Sequence, residues 1–296
     1  MAELKTETPI VVTEEKERRY QTLRRLFKIR GVVIGSVIVS IMIIGAVFAP
    51  LLSRYDPTAI SQAEQLEPPS AKHLLGTDQL GRDMLSRLLY GARLSLVVGF
   101  VSVGIGGGAG CVLGLISGFS GGWVDGAIGG LVDVMLAFPG LLLALVVIIF
   151  LGPGLPNVMM AVGIGNTPRW ARLVRSCVLT IKETEYVIAA KASGASDVRI
   201  MFKHILANII APVIVFSTLG VAGSMLAAAS LGYLGLGAQP PTPEWGLMLS
   251  EARNFIRVSW WAATFPGLAI MFSVLAINLI GDGLRDTLDP RLRGKT

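Results

Sequence analysis

Charge is scarce in this chain. Charged residues fill 16% of its 296 positions, against roughly 25% in an ordinary soluble domain, and mean hydropathy is +0.65. A domain solvated on all sides is excluded. Cysteine and histidine are nearly absent, at two each. Cys111 and Cys177 lie in or beside apolar segments, where a thiol behaves as a small buried hydrophobe. Neither they nor His73 and His204 form a metal-ligating cluster. The net charge of +6 suggests a nucleic-acid partner, but the basic residues flank apolar segments, and membrane orientation explains them better.

What the chain has instead is long apolar runs. Gly31 to Leu52 is 22 residues without a charge. At about 1.5 Å per residue this covers about 33 Å, enough for a hydrocarbon core of about 30 Å. A cleaved signal peptide is the alternative. The run is longer than a usual signal core, about thirty residues precede it, and Pro50 follows the one small-residue cleavage site. The reading is therefore an all-α polytopic membrane protein with six spans. After a polar segment 1–30, whose mixed-charge run Glu14–Arg30 could lie on the membrane surface, the first span is 31–52. The others run over about 94–117, 127–151, 157–179, 208–231 and 260–281. Polar connections cover 53–92 and 232–259, and a short tail, 283–296, closes the chain.

Charge counts orient these spans. The segments on the N-terminal side, 1–30, 118–126, 169–206 and 282–296, carry eight, none, seven and four Lys or Arg, nineteen of the 26. Lys and Arg accumulate in cytoplasmic loops, which places both termini and the stretch 183–206 inside the cell. The same asymmetry supports the fourth span, the least apolar, because without it the bias weakens.

Several patterns invite functional readings. Gly106, Gly110, Gly114 and Gly118 recur on one helix face and allow close helix approach, either at a subunit or sliding interface or in ordinary packing within the chain. Asp133 stands about eight residues into the third span. An intramembrane acid is a default functional candidate, but a structural partner, Arg169 or Arg172 at similar depth on the fourth span, is the simpler reading. Gly294–Thr296 resembles the end of a phosphate-binding loop, yet Asp289 stands where that loop needs glycine and no helix can follow. Gly118–Gly122 matches a hydrolase nucleophile pattern without the strand-to-helix elbow or a histidine partner. No catalytic residue is expected.

The polar stretch Glu183–Ile205, ETEYVIAAKASGASDVRIMFKHI, is an island between apolar segments. It reads as a helix over Glu183–Ser193 with Glu183 and Glu185 in its first turn, where acids suit the dipole. Gly194 ends that helix, and Ser196 and Asp197 cap a second one towards Ile205. Ala189, Ala190, Ala192 and Ala195 give a small-residue surface suited to another protein's groove; a solvated amphipathic loop is the alternative.

The island resembles the cytoplasmic coupling loop of permease subunits of binding-protein-dependent ABC importers. That loop carries Glu-Ala-Ala, three residues, Gly, then nine residues before Ile-x-Leu-Pro. Tyr186, Val187, Ala189, Ala190, Gly194, Ile205 and Leu206 match, while Ile188 replaces the family glutamate and Ala207 stands at the closing proline. GTDQLGRDMLSRLLYGARLSL (76–96), containing Gly76, Thr77, Asp78, Gly81, Arg82 and Asp83, is similar to the dipeptide/oligopeptide/nickel permease subfamily. So is LGYLGLGAQPPTPEWGLMLSEA (231–252), with Gln239, Pro240, Pro241, Glu244 and Trp245. The Gln-Pro-Pro-Thr-Pro-Glu-Trp-Gly run is especially close to dipeptide and glutathione permeases. The resemblance covers about residues 30–294.

It implies the type I ABC importer permease fold and a non-catalytic role in the bacterial inner membrane. The implied partners are a homologous permease in a heterodimer, two cytoplasmic ATPases that hold ATP and Mg, an external binding protein and a peptide substrate; none is a nucleic acid. This chain itself would hold no cofactor. Residues 185–206 would couple to the ATPases, and 76–93 with 231–260 would face the binding protein, with Trp245, Trp260 and Trp261 near the interface. A glutathione or nickel importer is the alternative within the subfamily; nickel would call for a His- or carboxylate-rich path, which the spans lack. A self-contained secondary transporter or channel is the alternative from another class, but neither internal repeats nor midplane charges mark one.

Overall fold

The computed structural model describes residues 24 and 26–288. Most of the expected N-terminal surface helix, and the tail beyond Leu288 with the Gly294–Thr296 motif, lie outside them. Among the described residues there is no strand, only an isolated bridge between Thr77 and Asp83. The helices of eight residues or more are α1 (Arg30–Val47), α2 (Met84–Ser120), α3 (Gly122–Leu136), α4 (Gly140–Leu151), α5 (Leu155–Lys182), α6 (Glu185–Ala192), α7 (Asp197–Tyr233), α8 (Trp245–Ala252) and α9 (Trp260–Leu288).

Four of them, α1, α2, α7 and α9, are each long and apolar enough to cross a membrane, and α3 with α4 makes a fifth as a bent pair. Helix α5 has the length, 28 residues or about 42 Å, but Arg169, Arg172 and Arg175 lower its hydropathy. It lies along α2, with which it shares the most extensive helix–helix interface among the described residues.

The expected single span 127–151 is not one helix. It breaks between Leu136 and Gly140, and the two halves meet at 92°. Proline explains the break. Pro139 has no N–H to continue the ladder, and its ring disfavours helical geometry at Phe138. Hydropathy averages over the break and does not register it.

The glycine stripe resolves in favour of packing within the chain. A Cβ at Gly106 would lie 2.5 Å from the Gly163 carbonyl oxygen, and one at Gly110 only 2.2 Å from the Trp170 Cβ. At Gly114 it would meet the Ala171 carbonyl oxygen at 2.6 Å, and at Gly118 the Val178 Cβ at 2.8 Å. Small residues thus let α2 and α5 backbones approach where lipid supplies no hydrophobic drive. Gly110→Ala should therefore destabilise the protein by about 1–3 kcal/mol through overpacking. A thermal melt of the purified protein in detergent checks this, with Gly108→Ala, where a Cβ meets nothing within 4 Å, as the neutral control.

Candidate functional site

Three places on this scaffold carry the residues singled out in the sequence. The first is the island. Helix α5 ends at Lys182 with Glu183 at its cap, so α6 starts at Glu185, two residues later than expected. Gly194 then takes a left-handed backbone at φ +81°, with its N–H on the Lys191 carbonyl at 3.0 Å and that of Ala195 on the Ala190 carbonyl at 3.1 Å. A side chain at Gly194 would meet no atom within 4 Å; backbone geometry alone selects glycine here. The Ser196 hydroxyl accepts from the Arg199 N–H at 3.4 Å and starts the next helix, whose first residue is Asp197.

That second helix does not stop at Ile205. It passes through a π-helical turn at Ile200–Leu206 and continues without a break to Tyr233, so island and fifth span are one rod. The rod is rooted in the bundle. Val187, Ile200, Ile205 and Ile209 are buried with Leu115, Val174 and Val178, and Leu206 packs beside them. The opposite side of the island is open. Glu185, Tyr186, Ala189, Gly194, Ser196 and Asp197 are exposed, while Ala190 and Ala195 are half-buried. Apolar Tyr186, Ile188, Phe202 and Val198 stand out at 43 to 63% exposure. A stretch that keeps one apolar face in the core and another in solvent is shaped for a protein partner.

The second place is the motif at 76–83 with its counterpart at 239–245. Gly76, Thr77, Asp78, Gly81, Arg82, Asp83, Glu244 and Trp245 are buried, and only Gln239, Pro240 and Pro241 of that set are exposed. The polar ones are turned inward on one another. Arg82 donates to Asp78 at 2.6 Å and to Glu251 at 2.8 Å, and Arg87 donates to the same Glu251 oxygen at 2.9 Å. Asp83 caps α2 by accepting from the Ser86 N–H at 2.8 Å, and it lies 2.9 Å from His73 Nδ1. Glu244 caps α8 through the N–H groups of Gly246 and Leu247, both at 2.9 Å. Burial raises the pKa of Glu244 above the ordinary carboxylate range, opposed by those two donors. Trp245 donates its indole N–H to the Leu88 carbonyl and Trp261 to that of Thr77, each at 3.0 Å. The motif thus ties the starts of α2, α8 and α9 into one block. Arg87 and Glu251, absent from the expected set, complete it.

The third place is Asp133. It pairs with Arg172, as the structural reading expected, and a neighbouring pair went unforeseen. Arg175 donates to both oxygens of Asp125, at 2.6 and 2.5 Å. Both pairs border a cavity of about 420 Å³ between α3 and α5, and they staple the bent helix to its neighbour. Asp133→Asn should destabilise the protein by on the order of 1 kcal/mol, because the pair is well exposed, and so lower membrane abundance more than turnover per molecule. Asp125→Asn, which undoes a bidentate contact, should lower it further; quantitative immunoblots beside uptake per molecule check both.

Residues 110–294 match the family described as binding-protein-dependent transport system inner membrane component. The chain belongs to that family. Residues 19–69 also match the N-terminal transmembrane domain of oligopeptide transport permease C. Among individual family members, the dipeptide transport system permease protein DppC of Alkalihalophilus pseudofirmus is 48% identical over 92% of this chain and 90% of its own length. The di/tripeptide transport system permease protein DppC of Pseudomonas aeruginosa is also 48% identical, over 89% of each. The glutathione transport system permease protein GsiD of Pectobacterium atrosepticum is 45% identical over 91% and 90%. A solved structure of the MetNI methionine ABC transporter, inward facing, superposes with a TM-score of 0.58 at 20% identity, over 69% of this chain and 97% of the matched one. This likeness shows the permease fold of ABC importers. The chain is thus an inner-membrane component of a transport system.

Proposed function

We propose that the chain is the non-catalytic translocation subunit of an ATP-driven importer of di- and oligopeptides. In this reading a homologous permease completes the path, two cytoplasmic ATPases bind ATP and Mg, and an external binding protein delivers the peptide. Both termini and the island lie in the cytoplasm, as the Lys and Arg bias argues.

One observation carries the proposal. The island exposes apolar side chains at its tip, yet its roots are buried and its second helix is continuous with a membrane rod. An ATPase that grips the tip moves α7 directly, and through the buried isoleucines and valines it moves α2 and α5 as well. Closure of the ATPases then becomes a rigid-body transition between inward- and outward-open states. Peptide as cargo rests on the dipeptide and di/tripeptide relatives. Glutathione, itself a small peptide, is the second reading, supported by the relative from Pectobacterium.

Two measurements test this. In a Cys111→Ala, Cys177→Ala background, Ser193→Cys should react with a membrane-impermeant maleimide only in inverted vesicles. Labelling from outside intact cells overturns the orientation and the coupling role together. Complexes reconstituted with their binding protein should accumulate radiolabelled dipeptide only with ATP; accumulation of glutathione but no other peptide would select the second reading.

A further inference from the structure

Helix α5 carries three arginines at intervals of three residues, and their surroundings differ. Arg172 pairs with Asp133 and Arg175 with Asp125. Arg169 makes no hydrogen bond or ion pair with any described residue, although it stands near the middle of the helix. Its guanidinium lies over Gly140, where a Cβ would approach Nη2 to 3.6 Å. Beside it is a cavity of about 260 Å³ between α4, α5 and α7, whose walls include Leu141, Asn166, Trp170, Phe216 and Gly220.

Arg169 is exposed on this chain; a guanidinium without a counter-ion is expensive in hydrocarbon, and such charges face the bundle interior or a watered path. Here the glycines at 140, 220 and 223 leave that space open. The lining is mostly apolar with a few converging polar groups, the composition of a ligand site. The amide of Asn166 is oriented by the Ser224 hydroxyl at 3.2 Å. The site therefore suits a small ligand with an apolar body and one anionic end.

We propose that Arg169 binds the C-terminal carboxylate of the peptide in transit, within the cavity between α4, α5 and α7. This rests on the peptide-import reading above and deepens it. A terminal carboxylate is the one anion common to linear peptides of any side chain, and the planar guanidinium fork matches it in a bidentate way. The contact offers a foothold midway along the path without reading the side chains. The α4 helix, which no side chain caps, begins at Gly140 and adds positive potential on the same spot.

The test uses the full complex with its binding protein in proteoliposomes and compares dialanine with its C-terminal amide. Uptake is expressed per peptide bound to the binding protein, which removes that protein's own preference. The wild type should favour the free carboxylate by about tenfold, the worth of one charge-assisted contact. Arg169→Gln should bring the ratio to about one while the complex still assembles and its ATPase still responds to the loaded binding protein. Arg169→Lys, which keeps the charge but not the fork, should lie between. An unchanged ratio in either variant overturns the inference alone, since peptides are still imported. Loss of the partner permease from the Arg169→Gln complex, with the ratio intact in Arg169→Lys, overturns it in favour of an ion pair between the two permeases. A wild-type complex that imports no peptide overturns the functional reading and the inference with it.

Discussion

Ala189→Arg and Val198→Asp should each abolish uptake while leaving the amount of protein in the membrane unchanged. The two positions sit on different helices of the island, α6 and the start of α7, and both side chains are exposed. Neither belongs to the buried cluster of Val187, Ile200, Ile205 and Ile209 that roots the loop, so folding should not register the change. On the proposed coupling role, the charge would enter an apolar groove of the ATPase. Central interface contacts are worth at least about 2 kcal/mol, and a desolvated, unpaired charge adds to that. ATPase affinity should fall by at least about 30-fold, measured by retention of the ATPase on the purified permease. Lys191→Glu, also exposed but already a charged position, is the control with a much smaller effect. Wild-type uptake in both apolar-to-charged variants would remove the coupling role; loss of uptake with the ATPase still bound would place the defect after docking.

Much of this loop was legible in the chain itself, because its signals are local. Gly194 announces a left-handed turn, Ser196 a helix start, and the alanines a small-residue surface. That the second helix merges with the fifth span was not legible, since the polar residues Lys203, His204 and Asn208 read as a boundary. The same limit explains the broken third span: an average over 127–151 is apolar whichever way the helices point, and only Pro139 records the turn. The glycine stripe disclosed close packing but not the partner, because a face of small residues fits any backbone. The burial of the motif residues at 76–83 and 244–245 was not legible for a deeper reason. Composition equates charge with exposure, whereas Arg82, Arg87, Asp78 and Glu251 pair with one another inside the protein. A network assembled from residues more than 160 positions apart has no local signature.

That network yields the largest stability effect expected in this protein. Glu251→Ala should lower stability by about 3–5 kcal/mol, as breaking a buried ion pair does, whereas an exposed pair would be worth about 0–1 kcal/mol. Burial decides between the two figures. The side chains of Arg82 and Arg87 are each 1% exposed, and that of Glu251 is 13% exposed. With Glu251 gone, two guanidiniums face the single carboxylate of Asp78, and the block holds an excess positive charge out of reach of water. Removing that excess should restore part of the loss: in Glu251→Leu with Arg87→Met, Arg82 and Asp78 remain as a balanced pair at 2.6 Å, and apolar substitution of a whole buried pair is often neutral. Thermal melts of the detergent-purified complex, with membrane abundance beside them, check the order wild type, double variant, Glu251→Ala. The order also separates two accounts of the motif. A double variant that melts no higher than Glu251→Ala would mean that the acid acts through shape and not charge. Uptake lost in the double variant at restored stability would mean that the block also takes part in receiving the binding protein, for which its buried side chains alone give no direct surface.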